Sequence, residues 1–135
     1  MQSTTTMLRE EARVVPLGTA PDQLASTLDA LAGYEQVALT SVATLMGDPR
    51  VAELRTCIAA TQDAADLAAV CRRVLARNTP AASAVWRSVL GTTVHALDRA
   101  AHLGAQNLER RTCRLQAEAA AETAHRCRQL RAQLT

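Results

Sequence analysis

The sequence contains no Phe and no Lys, and its only aromatic residues are Tyr34 and Trp86. Alanine is the largest contributor to an apolar fraction of 48%. Small side chains allow helices to pack closely, whereas β-strands favour β-branched and aromatic residues. The shortage of large aromatic side chains therefore favours an all-α protein.

The sequence also lacks a strong charge of one sign and a long apolar segment. The formal net charge is only +2, and the arginines of the C-terminal part are interleaved with glutamates, so we expect no nucleic-acid partner. No run is long and apolar enough to cross a membrane, and the N-terminal residues do not form a secretory signal. We therefore expect a cytoplasmic protein. In that reducing compartment its four cysteines would be free thiols or metal ligands.

Helix starts and ends can be located from proline, glycine and capping residues. Proline occurs at positions 21, 49 and 80, and the first position of a helix tolerates proline because its N–H has no partner within the helix. Asp48 and Thr79 directly precede two of these prolines and can cap the free N–H groups. Gly47 and Gly104 mark helix ends. Asn107 is the predicted cap of a fourth helix that ends near residue 134.

The predicted organisation is a flexible lead-in over residues 1–18 and one domain over residues 19–135. Four helices joined by short connections must pack antiparallel to their neighbours. The sequence therefore predicts an antiparallel, up-down-up-down four-helix bundle.

The inward-facing positions follow an alternating spacing of four and three residues, which is typical of bundle cores. We call these positions the seam. They are Thr27, Leu31, Tyr34, Ala38, Ser41 and Leu45 in the first helix; Leu54, Cys57, Thr61, Ala64, Ala68, Cys71 and Leu75 in the second; Trp86, Leu90, Thr93, Leu97, Ala100 and Gly104 in the third; and Cys113, Ala117, Ala120, Ala124 and Cys127 in the fourth. The second and fourth helices each carry two cysteines fourteen residues apart, which places the two thiols about 21 Å apart on one face.

Three stretches carry a family resemblance: VAELRTCIAATQDAADLAAVCRRVLARNTP, WRSVLGTTVHALDRAAHLG and RTCRLQAEAAAETAHRC. From Val51 to Leu134 the chain resembles the cysteine-rich four-helix-bundle copper storage proteins. In that family the same seam positions carry cysteines, in CxxxC units that bind many Cu(I) ions. Here the corresponding positions hold Thr61, Ala64, Ala68, Thr93, Leu97, Ala100, Ala117, Ala120 and Ala124. The resemblance implies the bundle fold, but every CxxxC unit is broken, which excludes a high-capacity copper store.

The remaining cysteines are the candidate metal ligands. In an up-down-up-down bundle the second and fourth helices are parallel and diagonal, so Cys57 shares a level with Cys113 and Cys71 shares one with Cys127. A Cu(I) ion, the one candidate cofactor, could bridge each pair, because soft thiolates select Cu(I). The alternative is that the cysteines are small buried hydrophobic residues.

The small-residue core suggests another function, which we take as the main hypothesis: a pocket for a small organic molecule. Buried hydroxyl groups need partners, and a bundle core with a few polar groups is a common ligand site. The expected lining residues are Tyr34, Thr61, Thr93, Trp86, Ala64 and Ala120, with Tyr34 as the catalytic candidate, oriented by Thr93. Whether such a pocket would only bind or also catalyse is left open. Low-capacity copper handling is the first alternative, and a structural or interaction role is the second. We also expect a homo-oligomer.

Overall fold

The computed structural model describes residues 21–77 and 83–134, and these residues form four α-helices. The helices are α1 (Pro21–Met46), α2 (Arg55–Ala76), α3 (Ser83–Ala105) and α4 (Arg111–Ala132), and a short 3-10 helix (Val51–Leu54) precedes α2. Each helix packs along its neighbours in sequence, and α1 also packs along α4. Helices α2 and α4 therefore lie on a diagonal of the bundle. The predicted all-α, up-down-up-down four-helix bundle is confirmed.

The helix ends agree with the prediction in part. Helix α1 begins at Pro21, as expected. The second helix begins later than the predicted residue 49, because the chain first forms the 3-10 helix and becomes α-helical only at Arg55. Asp48 still acts as a local cap, since its Oδ1 accepts a hydrogen bond from the N–H of Arg50 at 2.8 Å. The predicted lead-in over residues 1–18 and the start at residue 80 lie outside the described residues.

Asn107 does not cap α4, so that prediction is wrong. Its Nδ2 donates to the carbonyl oxygen of Leu103 at 3.2 Å and closes the end of α3 instead. Turn residues then separate the two helices, and Arg110 takes the N-cap position of α4 with an extended backbone. Arg110 forms no side-chain capping bond there.

The seam prediction agrees closely with the structure, because every seam residue is buried. The core divides into two hydrophobic clusters. The larger one contains Cys71 and Cys127 together with Trp86, and the smaller one contains Cys57 and Cys113. Within the described residues, no helix is both long enough and apolar enough to cross a membrane.

Helices α3 and α4 lie close together at Gly104. A Cβ atom at this position would lie 2.9 Å from the carbonyl oxygen of Cys113 and 3.0 Å from the Cβ of Ala117. It would also lie 2.8 Å from Nε2 of Gln116. The missing side chain of Gly104 therefore sets the distance between the two helices beside one of the cysteines.

Candidate functional site

The four cysteines meet as two pairs in the interior, as the bundle geometry predicted. All four are free thiols and all four are buried. The thiols of Cys57 and Cys113 lie close enough to shift each other's pKa, and so do the thiols of Cys71 and Cys127. Both pairs span the diagonal between α2 and α4. We call them the loop-end pair (Cys57 and Cys113) and the inner pair (Cys71 and Cys127).

At the inner pair the two thiols shift each other's pKa in opposite directions. The neighbouring Cys127 lowers the pKa of Cys71, and the hydroxyl of Thr93 acts in the same direction. The pKa of Cys127 is raised by the neighbouring Cys71 and by burial. Cys71 therefore ionises more readily than an isolated buried cysteine, and the thiolate of Cys71 opposes ionisation of Cys127.

At the loop-end pair, burial is the largest influence on both thiols. It raises the pKa of Cys57, against a smaller lowering by the hydroxyl of Thr61 and the thiol of Cys113. Burial and the neighbouring Cys57 raise the pKa of Cys113 to about 11, and Arg110 partly opposes this rise. Without a metal ion, both thiols of this pair are protonated near neutral pH.

A buried hydrogen-bonded chain lies on the loop-end side of the core. The hydroxyl of Tyr34 donates to Oε1 of Gln116 at 2.7 Å, and Nε2 of Gln116 donates to the carbonyl oxygen of Ala100 at 3.2 Å. The phenol also lies near enough to Cys57 for that thiol to raise its pKa, although burial is the larger cause. Both polar side chains are thus satisfied by each other and by the backbone.

Thr93 does not orient Tyr34, so that expectation is wrong. Its hydroxyl donates to the carbonyl oxygen of Val89 at 2.7 Å and lies beside Cys71. Gln116 was missed as the true partner of Tyr34, because it is not a seam residue. The available signal was its position seven residues before Thr123, which is also buried. These two polar residues extend the inward face of α4 beyond the seam.

The structure gives no support to an organic-ligand pocket around the other expected residues. Thr61 donates to the carbonyl oxygen of Cys57 at 2.8 Å, and Ala64, Ala120 and Trp86 are fully buried in the large cluster. Five grooves open at the surface of residues 21–77 and 83–134, and none of these five is lined by a predicted pocket residue. The phenol of Tyr34 and the amide of Gln116 bind each other, whereas the buried indole Nε1 of Trp86 has no hydrogen-bond partner among the described residues.

Other metal ligands are absent from the two thiol pairs. His95, His102 and His125 are exposed, as their positions off the seam predicted. In the part of the chain that the structure describes, no three or more His, Cys, Asp or Glu residues are grouped to hold a metal ion. Each site therefore offers two sulfur donors. That set suits Cu(I), because thiolates select this soft ion and two of them are enough to bind it.

Comparison with known proteins connects this geometry to a family. The family model described as copper storage protein matches residues 22–132. No curated protein sequence matches the chain. Among solved structures, the copper storage protein Ccsp from Streptomyces lividans, loaded with 10 copper equivalents, is 24% identical with a TM-score of 0.86, over 94% of this chain and 99% of that one.

A second Streptomyces lividans structure, of a cytosolic copper storage protein with five coppers, is 25% identical with a TM-score of 0.82. The similarity covers 84% of this chain and 96% of that one. The resemblance seen in the sequence is confirmed, since the family match extends from the second residue of α1 to the last residue of α4. This chain belongs to the copper storage protein family.

Proposed function

We propose that the protein handles Cu(I) at low capacity, with one ion bound at each thiol pair and about two ions per chain. The observation that carries this proposal is that all four cysteines are buried and lie as two pairs of neighbouring thiols across the bundle. Copper is the cargo here. The similar cytosolic protein from Streptomyces lividans supports the cytosol as the proposed location.

The proximity of the two thiols favours a single ion at each pair. A Cu(I) ion that binds between the two sulfur atoms would displace both thiol protons and bridge the two thiolates. The two pairs are fourteen residues, or about 21 Å, apart along the helices. Since alanine, threonine and leucine fill the seam between them, the sites cannot share ligands.

Titration of the reduced protein with Cu(I) under anaerobic conditions, against a chromophoric Cu(I) chelator, tests the proposal. We expect about two ions for the native sequence, one each for Cys57→Ala/Cys113→Ala and Cys71→Ala/Cys127→Ala, and none for the fourfold variant. Thr61→Ala is the matched control, because it removes a buried polar group beside Cys57 and leaves every sulfur in place. Several ions per chain, or binding that survives loss of all four thiols, would place the ligands elsewhere.

The expected homo-oligomer is a separate proposal. Sedimentation of the apo and copper-loaded protein would test it, with a monomer in both forms as the contradicting result.

A further inference from the structure

The loop-end pair lies where two helices begin. Cys57 is the third residue of α2 and Cys113 is the third residue of α4, and these two helices run parallel. The first turn of a helix carries a partial positive charge, because its N–H groups point outward without partners in the helix. Cys113 is thus attached to the positive end of α4, and Cys57 lies at the start of α2, which the 3-10 helix directly precedes. Cys71 and Cys127 instead lie in the second half of each helix.

Arg110 adds a full positive charge at the same end. Arg110 is the N-cap of α4 and lies three residues before Cys113. The N–H of Arg114 donates to the carbonyl oxygen of Arg110 at 3.1 Å, so Arg110 and Cys113 belong to the same first turn of α4. Residues three apart on a helix are neighbours, with Cβ atoms about 5–6 Å apart. The side chain of Arg110 is only 19% exposed, so solvent screens its charge incompletely.

Two carboxylates hold this guanidinium group in place. Nε of Arg110 contacts Oδ2 of Asp48 at 3.0 Å, and Nη1 contacts Oε1 of Glu109 at 2.9 Å. Glu109 is 66% exposed, so water screens its negative charge. Among these groups Arg110 has the larger effect on the thiol of Cys113, and it lowers the pKa against a smaller opposite effect of Glu109.

A bound Cu(I) ion would create a negative charge at this level of the core. Two thiols release two protons when one Cu⁺ binds, so the product is a copper bis-thiolate with one negative charge. A buried charge is costly unless an opposite charge compensates it. We propose that Arg110 is a positioning residue that compensates the negative charge of Cu(I) bound at the loop-end pair, and that Asp48 holds it there. This inference rests on the proposed function.

The inner pair has a weaker source of compensation. Arg128 lowers the pKa of Cys127, as Arg110 does for Cys113, but the side chain of Arg128 is 51% exposed and is paired with Asp98. Water therefore screens it more strongly than it screens Arg110. The structure thus assigns a dependence on one arginine to the loop-end pair in particular.

The experiment uses the full chain with the substitutions Cys71→Ala/Cys127→Ala, which leave only the loop-end pair. The Kd for Cu(I) is measured by chelator competition at low and high ionic strength. We expect Arg110→Gln to weaken binding about tenfold at low salt and to reduce the salt dependence of the Kd. Arg110→Lys should recover most of the affinity, because it keeps the charge. Arg126→Gln is the control, since it breaks an exposed ion pair elsewhere on α4 and should leave the Kd unchanged.

Asp48→Asn separates the electrostatic role of Arg110 from a purely structural one. This variant removes the carboxylate charge but keeps a side-chain oxygen that can still accept a hydrogen bond from Arg110, so the guanidinium stays in place and compensation predicts an unchanged or lower Kd. If Arg110 only ties the two loops together, Asp48→Asn and Arg110→Gln will weaken binding equally and Arg110→Lys will not restore it, which would overturn the inference. A native-like Kd in Arg110→Gln would overturn it as well. If this background binds no Cu(I) at all, the proposed function itself fails.

Discussion

Gly104→Ala tests the close approach of α3 and α4. The added Cβ would lie 2.9 Å from the carbonyl oxygen of Cys113 and 2.8 Å from Nε2 of Gln116. The side chain of Gln116 could move only by giving up its bond to Ala100, and the backbone oxygen can move only with α4. The substitution must therefore separate α3 from α4 or break a buried hydrogen bond.

The expected cost combines two opposing contributions. Overpacking of a close-packed interior costs about 1–3 kcal/mol. The better helix propensity of alanine returns at most about 1 kcal/mol, and less near the end of a helix. We therefore expect the free energy of unfolding to fall by about 1–2 kcal/mol, which corresponds to a Tm about 3–6 °C lower. Because the displaced atoms include the backbone of Cys113, binding of Cu(I) at the loop-end pair should weaken too.

Gly33→Ala is the matched control for this substitution. A Cβ at Gly33, in the middle of α1, would meet no atom within 4 Å, so only the gain in helix propensity remains, about 0.5–1 kcal/mol. Urea unfolding of both variants gives the comparison. The packing argument is refuted if Gly104→Ala stabilises the protein as much as Gly33→Ala does.

Three other perturbations test the core. Tyr34→Phe should lower the free energy of unfolding by about 1–3 kcal/mol, because it leaves the buried Oε1 of Gln116 without its donor. It should not change the Cu(I) stoichiometry, and a loss of copper binding would show that the phenol has a direct role. Trp86→Ala should lower the free energy of unfolding by about 3–5 kcal/mol, and a loss as small as that of a surface variant would contradict its position in the core. The apoprotein should lose stability as the pH rises from about 9 towards 11. The thiol of Cys113 keeps its proton in the folded state up to a pKa of about 11, whereas in the unfolded chain it ionises near its usual pKa, so alkaline pH favours the unfolded state. Unfolding of Cys113→Ala should depend less on alkaline pH, and an identical pH dependence would refute this assignment.

The inward faces of the helices could be predicted from the sequence because they follow from periodicity alone. A residue's position in the four-three repeat fixes its angle around the helix, and each seam residue from Thr27 to Cys127 is buried. The pairing of Cys57 with Cys113 and of Cys71 with Cys127 follows from the same repeat, combined with the antiparallel order of the helices.

Hydrogen-bond partners could not be predicted in this way, since they depend on side-chain rotamers and on distances of a few tenths of an ångström. Gln116 lies beside the seam on α4, and only its rotamer brings its amide between Tyr34 and Ala100. Asn107 has a residue type that favours capping of α4, but it bonds back to Leu103, because the turn after α3 brings that carbonyl within reach. The pocket hypothesis failed to gain support for the same reason: the sequence showed hydroxyl groups in the core without showing that the protein itself satisfies them.

The separation of the two thiol pairs has a consequence for how copper moves. In a bundle with thiols along the whole seam, an ion could pass from one sulfur to the next. Here Ala64, Ala68, Ala120 and Ala124 lie between the pairs, and alanine offers no ligand to a migrating ion. The Tyr34–Gln116 bond also occupies the core on the loop-end side. Each pair should therefore load and unload by itself, so removal of one pair should leave the Cu(I) transfer rate of the other unchanged. This chain thus keeps two separate thiol pairs in a fold that, in the Streptomyces lividans protein, is loaded with 10 copper equivalents.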